Sequence, residues 1–567
     1  MCGIHFVLCP STAQQADLPP ELKCRLLARG PDHFGQVHRR VCPLQHANAA
    51  GWSLRFTSTV LALRGSDSGD GVTRQPLADE ATGSVLCWNG EAWRVGGARV
   101  GAGENDARVV FARLLAASTS GPASAERVLD ALRRIEGPFA FVYYDAVAGS
   151  VFFGRDRLGR RSLLLTQRPG VEGQEALELC SVAGEAGDGW REVEADGIYA
   201  VRLGEEGISL MRHDWVARED AADFVSGIGK FNMALPHGSC ALTPDSPSVM
   251  ALRDKLLESL RLRVLNIPLP PASDADGKTR VAILFSGGLD CTVLARLGHE
   301  VLDADQGMDL LNVAFENPRV VAQLHKQTGH LTDYYEACPD RITGRRSFAE
   351  LQRVCPGRAF RFVAVNVPYT ETQAHRQQVI ALIRPHNTEM DLSIAHALYF
   401  AARGQGFCTV SSSADSPPVF YTSPARVLLS GLGADELFGG YSRHPSAFQQ
   451  RGYAGLIDEL LLDVGRLGKR NLGRDDRVMA HWGKEVRFPF LDECLVGWAI
   501  ATPAWEKCDF ENGEEASAVE PGKRILRLLA LTLGMEGVAK EKKRAIQFGS
   551  RTAKMESGRV KGTTVIS

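Results

Sequence analysis

The 567-residue sequence lacks the features that mark several large classes of protein. No apolar run reaches the roughly 18 to 20 residues that a membrane helix needs, and the opening "MCGIHFVLCP" lacks the basic start and long apolar stretch of a signal peptide. The formal net charge is only -2, so no excess of one sign points to a nucleic acid or a membrane surface. We therefore expect a cytoplasmic protein with no nucleic-acid or membrane partner.

Paired-cysteine and metal-binding patterns are also missing. The 13 cysteines include no CxxC pair and the 14 histidines no HExxH motif, which disfavours a disulfide framework or a zinc site. The GxxxxGK[ST] pattern of a Walker A loop does not occur. Apolar residues make up 44% and charged residues 23%, as in folded globular proteins. The chemistry of the chain must therefore come from other motifs.

The length of the chain predicts two or more domains. Residues 1–215 read as short β-rich segments broken by turns, with one helical stretch near 106–117, which favours packed sheets. Residues 216–248 are rich in Pro, Ser and Gly and predict a linker. Residues 249–555 alternate short apolar runs with helical stretches, which favours a parallel α/β sheet covered by helices. Residues 556–567 are predicted to form a loose tail.

Cys2 is the first candidate catalytic residue. Removal of Met1, which precedes a small residue, would place the thiol beside the α-amine of the same residue. A thiol has a reference pKa of about 8.5 and an α-amine one of about 8, so the amine can accept the thiol proton at close range. The alternative is that Cys2 is only a small apolar residue at the start of a buried strand. The residue alone leaves both interpretations open.

A second candidate site is the stretch "LFSGGLDCT", Leu284 to Thr292, which ends an apolar strand and opens a helix. In that setting the backbone NH groups of Ser286, Gly287 and Gly288 could bind an anion such as a phosphate. Gly-rich strand ends are also common as simple turns. The motif by itself indicates a phosphate loop without establishing one.

The first half resembles the glutaminase domain of glutamine-hydrolysing asparagine synthetases, class II amidotransferases with an α+β N-terminal-nucleophile sandwich. The resemblance rests on "MCGI", "RGPD", "RQPL", "WNGE", "END" and "GRDRLGRRSL", which occur in this order. It implies that Cys2 attacks the side-chain amide of glutamine, and that Asn89 and the backbone NH of Gly90 form an oxyanion hole. One cation would bind the α-carboxylate of glutamine and two anions its α-ammonium. The implied glutamine-binding residues are Arg64, Asn89, Glu91 and Asp106.

The second half resembles the synthetase domain of the same family, an α/β parallel-sheet domain of the ATP pyrophosphatase type. The matching stretches are "SGGLDC", "DLLNVAFENP", "SGLGADELFGGYSRH" and "NLGRDDRVMAHWGKEVRFPFLD". The resemblance implies cleavage of ATP between its α and β phosphates to form an acyl adenylate, with magnesium held by Asp290 and Asp435. The implied ATP-binding residues are Leu284, Ser286, Gly287, Gly288, Asp290, Val313 and Gly431.

Three positions depart from the synthetase pattern. The family writes SGEGSDEVFGGY where this sequence has "SGLGADELFGGY", so Leu432 stands where a glutamate is assigned proton handling. General acid or base groups are worth roughly 10²- to 10⁴-fold in rate, so amidation of aspartate should be impaired. Cys291 replaces a hydroxyl residue, and the lysine that would contact the adenylate aligns near Ala545, with Lys543 as a substitute if the register shifts. With these departures the sequence is most similar to the eukaryotic asparagine synthetase domain-containing protein branch.

The resemblance implies a glutamine-dependent, ATP-using amidotransferase of asparagine biosynthesis. Glutamine would supply ammonia to an adenylated small carboxylic acid such as aspartate, with ATP and magnesium as cofactors. Two alternatives stay open: a catalytically impaired homologue that uses its nucleotide or glutamine pocket as a sensor or scaffold, and a glutaminase whose second domain is only structural. The acceptor acid and the oligomeric state are not predicted, and a homodimer is one alternative.

Overall fold

The computed structural model describes residues 2–11, 17–41, 51–65, 71–119, 123–169, 175–184, 189–204, 207–218, 223–238, 241–269, 279–328, 333–410, 417–512, 519–556 and 561–566. The chain divides into two compact units. Unit 1 comprises Met1–Ala222, Ala381–Pro385 and Leu467–Lys484, and unit 2 comprises Asp223–Ile380, His386–Arg466 and Glu485–Ser567. Unit 1 therefore includes two segments that lie far beyond the first domain boundary predicted at residue 215.

The described strands, in chain order, are β1 (Gly3–Pro10), β2 (His33–Val41), β3 (Trp52–Val60), β4 (Leu77–Ala78), β5 (Val85–Gly90), β6 (Arg94–Val95), β7 (Ala98–Arg99), β8 (Ile135–Glu136), β9 (Phe139–Asp145), β10 (Ser150–Arg155), β11 (Leu164–Pro169), β12 (Glu175–Cys180), β13 (Arg191–Glu192), β14 (Ile198–Gly204), β15 (Gly207–His213), β16 (Phe224–Val225), β17 (Gly229–Lys230), β18 (Val281–Leu284), β19 (Met308–Phe315), β20 (Phe360–Val367), β21 (Gln405–Val410), β22 (Val419–Thr422), β23 (Val427–Leu429) and β24 (Glu485–Arg487).

The described α-helices are α1 (Pro20–Arg29), α2 (Asp106–Ala117), α3 (Ser124–Arg133), α4 (Pro247–Val264), α5 (Leu289–Val301), α6 (Pro318–Thr328), α7 (Pro339–Val354), α8 (Tyr369–Ile383), α9 (Glu389–Arg403), α10 (Ala434–Phe438), α11 (Arg443–Gly465), α12 (Leu472–Ala480), α13 (Glu493–Ala501), α14 (Arg524–Thr532), α15 (Glu536–Ala539) and α16 (Ile546–Gly549). Short 3₁₀ helices span Leu467–Lys469, Pro489–Leu491 and Ala504–Glu506. Within the described ranges, no helix is both long and apolar enough to cross a membrane.

Unit 1 is built around two six-stranded antiparallel sheets. One has the order β13-β11-β12-β1-β3-β2 and the other the order β15-β14-β10-β9-β5-β4. Side chains alternate between the two faces of a strand, and the fully buried Ile4, Phe6 and Leu8 of β1 share one face. They belong to the same apolar cluster as Phe56 of β3 and Val142 of β9, which comes from the other sheet. The two sheets therefore pack face to face, which confirms the predicted sandwich.

Helices cover the outer faces of this sandwich. Val110 of α2 and Leu132 of α3 pack with Leu86 of β5 in a second apolar cluster. Leu22 of α1 packs against the other sheet in a third cluster. The bounds of α2 confirm the helical stretch predicted near 106–117. Unit 1 thus has four layers, with a helical layer on each side of the paired sheets.

Unit 2 contains a seven-stranded sheet of order β22-β21-β20-β19-β18-β23-β24. Strands β20, β19, β18, β23 and β24 are parallel neighbours. Strand β21 pairs antiparallel with β20, and β22 pairs antiparallel with β21. Asn312 and Phe315 of β19 point to opposite faces: Asn312 donates to the carbonyl of Asp340 in α7, and Phe315 lies 5.7 Å from Phe400 of α9, between ring centroids. Helices therefore cover both faces of a mostly parallel sheet, which confirms the predicted α/β class.

Two segments are more ordered than the predicted linker and tail suggest. Within 216–248, β16 and β17 pair around Ser226, whose φ is 51°. Residues 561–566 lie in the predicted loose tail, yet the amide of Glu389 donates to the carbonyl of Thr564 at 2.9 Å. The hydrogen bond between Glu389 and Thr564 joins residues that are far apart in the chain, so the composition of the tail does not indicate it.

Candidate functional site

Cys2 lies directly before β1 and is 7% exposed. Its backbone nitrogen donates to Oδ1 of Asn89 at 2.9 Å. Nε2 of Gln75 lies 3.8 Å from Sγ of Cys2, within the range of a weak hydrogen bond to sulfur. The amide of Gly3 donates to Oγ1 of Thr59 at 3.0 Å, which anchors the start of the strand. The side chain of Asn89, predicted to stabilise the oxyanion, thus binds the backbone nitrogen of Cys2, which is predicted to become the free amine.

Asn89, near the end of β5, is fully buried. The backbone nitrogen of Cys2 can only donate, so the amide oxygen of Asn89 must face it, and Nδ2 carries the two NH donors. Nδ2 has no hydrogen-bond partner among the residues that the structure describes. A buried donor without a partner costs about 1 to 3 kcal/mol. This donor beside Cys2 is therefore of the kind that a substrate oxygen would satisfy.

Gly90 ends β5 at a place that only glycine can occupy. Its φ is 152°, and a Cβ there would collide with the carbonyl oxygen of Pro138 and lie 2.6 Å from Cα of Phe139. The close approach to β9 therefore explains the glycine by packing alone. The contribution of the Gly90 NH to an oxyanion hole stays a prediction.

The three charged residues predicted to bind glutamine lie close together. Arg64 follows β3, Glu91 follows β5 and Asp106 opens α2. Nε of Arg64 donates to Oε2 of Glu91 at 2.5 Å. Oδ2 of Asp106 accepts from Nε1 of Trp88 at 3.0 Å and from the amide of Ala92 at 2.8 Å. Three separate elements thus bring these charged groups close together.

The charge balance of this cluster suits an ammonium group. The pKa of Asp106 is raised to about 6, first by burial and then by the neighbouring carboxylate of Glu91, while Arg64 acts in the opposite direction. At neutral pH Asp106 is therefore mostly ionised, and it lies near Glu91 and Arg64. The acidic groups suit the α-ammonium of an amino acid and the guanidinium of Arg64 suits its carboxylate, whereas binding of glutamine here stays a prediction.

The predicted phosphate loop joins the end of β18 to the start of α5. Leu284 ends the strand and Gly288 is the N-cap of the helix. Oγ of Ser286 accepts from the amide of Gly288 at 3.3 Å. Gly287 has a φ of 81°, and a Cβ there would lie 2.5 Å from Cα of Gly344 in α7. The close contact with α7 requires glycine, and the N-terminus of α5 offers backbone NH groups to an anion.

The remaining ATP residues approach the same edge of the sheet. Strand β18 lies between β19 and β23, and parallel strands present their carboxyl ends together. Val313 is near the carboxyl end of β19, and Gly431 follows β23. A Cβ on Gly431 would lie 2.8 Å from Cβ of Asp290. The seven positions therefore share one edge of the sheet, whereas their contact with a nucleotide stays a prediction.

Asp290 and Asp435 converge on one ammonium group. Nζ of Lys523 lies 2.7 Å from Oδ1 of Asp290 and 2.9 Å from Oδ1 of Asp435, and Lys543 also pairs with Asp435. Burial alone would raise the pKa of Asp435, yet the two lysines hold it well below its usual range. Burial likewise opposes the charge of Lys523, yet the two carboxylates raise its pKa. The predicted magnesium residues thus belong to a buried ionic network.

The two carboxylates fit magnesium in donor type and in convergence. Mg²⁺ is usually held by one or two carboxylates together with substrate phosphates. The ammonium of Lys523 shows that Asp290 and Asp435 can share a cation. Within the described part of the chain, no group of three or more His, Cys, Asp or Glu side chains is arranged to hold a metal ion. Phosphate oxygens would have to complete the coordination, and the metal stays a prediction.

Leu432 and Cys291 occupy positions where the family has polar side chains. Leu432 is half-buried in the turn after β23, and its amide donates to Oγ of Ser430 at 3.3 Å. Sγ of Cys291 donates to the carbonyl of Gly288 at 3.3 Å and lies 3.7 Å from Oγ of Ser286. Burial raises the pKa of the Cys291 thiol, so it stays protonated. The Cys291 thiol thus contacts two residues of the predicted phosphate loop, Ser286 and Gly288. The Leu432 side chain has no group that can transfer a proton.

A lysine stands two residues before the position where the family's adenylate-contacting lysine is predicted to align. Ala545, where the family lysine aligns, is the N-cap residue of α16. Lys543, two residues earlier, pairs with Asp435. A cation from this segment therefore lies beside Asp435, whereas its contact with an adenylate stays a prediction.

Lys523 is the main site residue that the sequence does not reveal. It is 3% exposed, has a φ of 52° and follows the sequence "EPG". A Pro-Gly pair indicates a turn. It does not indicate that the next lysine is buried against Asp290, 233 positions earlier in the chain.

The fold and the two sites define a chain that joins a class II glutamine amidotransferase domain of the N-terminal-nucleophile type to an asparagine synthase α/β domain. The glutamine amidotransferase domain family matches residues 70–176, and the asparagine synthase family matches residues 419–563. The chain belongs to the asparagine synthase family, and its relatives over nearly the whole length are asparagine synthetase domain-containing proteins.

Three relatives show how far this similarity extends. The chain is 34% identical to Asparagine synthetase domain-containing protein 1 of Bos taurus, over 99% of this chain and 97% of that protein. It is 33% identical to Asparagine synthetase domain-containing protein YML096W of Saccharomyces cerevisiae, over 91% of this chain and 87% of that protein. A putative glutamine-hydrolysing asparagine synthetase of Methanocaldococcus jannaschii is 38% identical, over 23% of this chain and 28% of that protein.

Proposed function

We propose that the chain is a glutamine-dependent, ATP-using amidotransferase that releases ammonia from glutamine at Cys2 and transfers it to an activated carboxylic acid. The observation that carries this proposal is the pairing of Cys2 with Asn89. The backbone nitrogen of Cys2 is bound by Oδ1, and Nδ2 of the same amide lacks a partner among the described residues. A nucleophile, its base and an oxyanion donor would thus meet at two residues.

The hydrolysis of glutamine would proceed in two steps. Once Met1 is removed, the α-amine of Cys2 takes the thiol proton, and Sγ attacks the amide carbon of glutamine. Nδ2 of Asn89 and the NH of Gly90 would donate to the oxygen that becomes negative, and the amine returns the proton to the departing ammonia. Water then cleaves the thioester and releases glutamate. Arg64, Glu91 and Asp106 hold the amino-acid end of the substrate through both steps.

The second reaction would activate the acceptor acid. ATP bound with magnesium would supply the adenylate and release pyrophosphate, and ammonia would then displace AMP. In this unit Lys523 and Lys543, which pair with Asp290 and Asp435, would balance phosphate charge, while the two carboxylates would hold the metal. Leu432 cannot accept a proton from the attacking ammonia, so we expect slow transfer to aspartate, or an acid whose amidation needs no such group.

Release of glutamate from glutamine tests the first reaction. The intact chain is compared with Cys2→Ala, with and without ATP, after mass spectrometry has established the N-terminal residue of the purified protein. We expect glutamate from the wild type only. A wild type that makes no more glutamate than Cys2→Ala, or that retains Met1 while it is active, would contradict Cys2 as the nucleophile.

Exchange of labelled pyrophosphate into ATP tests the second reaction. A panel of small carboxylic acids that begins with aspartate is supplied one at a time. An acid that supports exchange identifies the acceptor class. No exchange across the panel, together with measurable ATP binding, would overturn the synthetase step.

The second candidate function is nucleotide or glutamine sensing without synthesis. It is favoured by Leu432 and by the ionic network in which the carboxylates of unit 2 are already neutralised by lysines. Its signature is binding of ATP with no release of pyrophosphate for any acid. If glutamate is nevertheless released, the chain acts as a glutaminase with a structural second domain.

A further inference from the structure

A buried arginine links Cys2 to a carboxylate from the distant part of the chain. Arg29, in the last turn of α1, is fully buried, and its Nε donates to the carbonyl oxygen of Cys2 at 3.4 Å. One terminal nitrogen of the same guanidinium donates to Oδ2 of Asp476 at 2.8 Å, across 447 positions of sequence. Resting on the function proposed above, we propose that Asp476 is a positioning residue for the Cys2 nucleophile and acts through Arg29.

Asp476 belongs to the same compact unit as Cys2. The segment Leu467–Lys484, which carries α12, is part of unit 1, although the asparagine synthase family matches it in sequence. The glutaminase unit is therefore completed by residues outside its own family match. A buried guanidinium needs a carboxylate nearby, because an uncompensated charge in this setting is costly. Asp476, which is fully buried, supplies that carboxylate.

The carboxylate of Asp476 is itself fixed in place. Its Oδ2 also accepts from the amide of Ser162 at 3.1 Å, and Arg161 lies 3.5 Å from its Oδ1. The adjacent Arg477 donates to Oγ of Ser162 at 2.9 Å and to Oε1 of Glu192 at 2.7 Å. The acid is thus held from two directions and can in turn hold the plane of the Arg29 guanidinium.

Cys2 is therefore hydrogen-bonded at both its backbone nitrogen and its carbonyl oxygen. Its nitrogen is bound by Asn89 and its carbonyl oxygen by Arg29. The direction of the bond from Cα to Cβ, and with it the position of the sulfur, follows from these two anchors. A misplacement of about 1 Å at a reacting atom can cost roughly 100-fold in rate. Loss of the Asp476 charge should therefore slow attack on glutamine rather than weaken its binding.

Substitutions in the full-length chain test this role. Asp476→Asn keeps the shape and removes the charge, so we expect kcat for glutamate release to fall at least about tenfold, with KM for glutamine within about twofold of wild type. KM should hold because Arg64, Glu91 and Asp106 lie on other elements. Asp476→Glu keeps the charge and should recover part of kcat.

The matched control is Asp145→Asn, which also removes a buried carboxylate from unit 1. Asp145 accepts from the amides of Val147 and Ala148 at 3.0 and 3.1 Å, at the far end of β9. We expect its kcat to stay within about twofold of wild type at temperatures where thermal unfolding shows both variants folded. Equal kcat for Asp476→Asn and Asp145→Asn, or a raised KM with normal kcat for Asp476→Asn, would overturn the positioning role.

A second variant covers the case in which Asp476→Asn does not fold. Arg29→Lys keeps a cation opposite Asp476 but cannot reach the carboxylate and the Cys2 carbonyl at once, so we expect a similar loss in kcat. Normal kcat in folded Arg29→Lys would overturn the proposal. A wild type that releases no glutamate would instead refute the proposed function, which separates the two failures.

Discussion

The candidate site in unit 1 and the candidate site in unit 2 differ in how their polar groups are balanced. In unit 1 the amide of Asn89 leaves Nδ2 without a partner among the described residues, and Glu91 and Asp106 lie near Arg64. In unit 2 the carboxylates of Asp290 and Asp435 are paired with lysines from the same unit. The first site therefore has a buried donor that a ligand could use, whereas the carboxylates of the second site are paired with lysines.

This difference indicates that a ligand would bind to the two units at different cost in existing contacts. In unit 1 a substrate oxygen would accept from Nδ2 of Asn89 without displacing a partner among the described residues. A nucleotide with its metal would have to replace or rearrange ion pairs in unit 2, where breaking a buried pair is costly. The absence of a proton-transferring side chain at Leu432 adds to the contrast. We therefore expect the proposed glutaminase reaction to be faster than the proposed synthetase reaction.

The largest effect should come from restoring a carboxylate in unit 2. Leu432→Glu places the missing acid in the turn after β23, so aspartate-dependent pyrophosphate release should rise by roughly 10²- to 10⁴-fold if proton transfer alone is lacking. Leu432→Gln, which has the shape without the charge, is the control. No gain for Leu432→Glu would mean that the ionic network, and not Leu432, limits this site.

The next largest effect should come from removing the hydrogen-bond donor of Asn89 in unit 1. Asn89→Ala removes Nδ2 and the anchor of the Cys2 nitrogen, so kcat for glutamate release should fall by roughly 10²- to 10³-fold. ATP binding, measured by titration calorimetry, should be unchanged because its residues belong to unit 2. Residual activity within a factor of a few of wild type would remove Asn89 from the oxyanion hole.

A third change tests whether the carboxylates of unit 2 can accept a metal. Lys523→Met leaves Asp290 and Asp435 without their shared ammonium, so the free energy of unfolding should fall by about 3 kcal/mol. Millimolar Mg²⁺ should raise the thermal unfolding temperature of this variant more than that of wild type. The control is Lys507→Met, since Lys507 is also buried but binds the carbonyl of Ala499. An equal Mg²⁺ response in both variants would exclude metal binding at these carboxylates.

The smallest effect is a pH dependence in unit 1. Because the pKa of Asp106 is raised to about 6 by burial and by Glu91, protonation below that pH removes an anion that would bind the α-ammonium. The ratio of kcat/KM for wild type to that for Asp106→Asn should therefore decrease up to about tenfold per pH unit below 6 and level off above it. Nα-acetylglutamine, which lacks the ammonium, should show no such decrease. A constant ratio from pH 5 to 8 would contradict the assigned role.

Local motifs predicted the two folds and most of the candidate residues, because each depends on neighbouring residues. The helix at 106–117 follows from apolar spacing, and the loop around Gly287 follows from a strand end with two glycines. The positions of Lys523 and Asp476 could not be predicted in this way. Both are buried charges whose partners are distant in the chain, and a charged residue in isolation usually indicates an exposed surface.

The pairing of Arg29 with Asp476 also bears on how the chain is made. Translation proceeds at about 5 to 20 residues per second, so the 447 positions between them separate their synthesis by roughly 20 to 90 seconds. During that interval unit 1 contains Arg29 without the carboxylate of Asp476. The anchor of the Cys2 carbonyl oxygen is complete only after residue 476 has been synthesised, so the proposed hydrolysis of glutamine would reach its full rate only once most of the second unit has also been made.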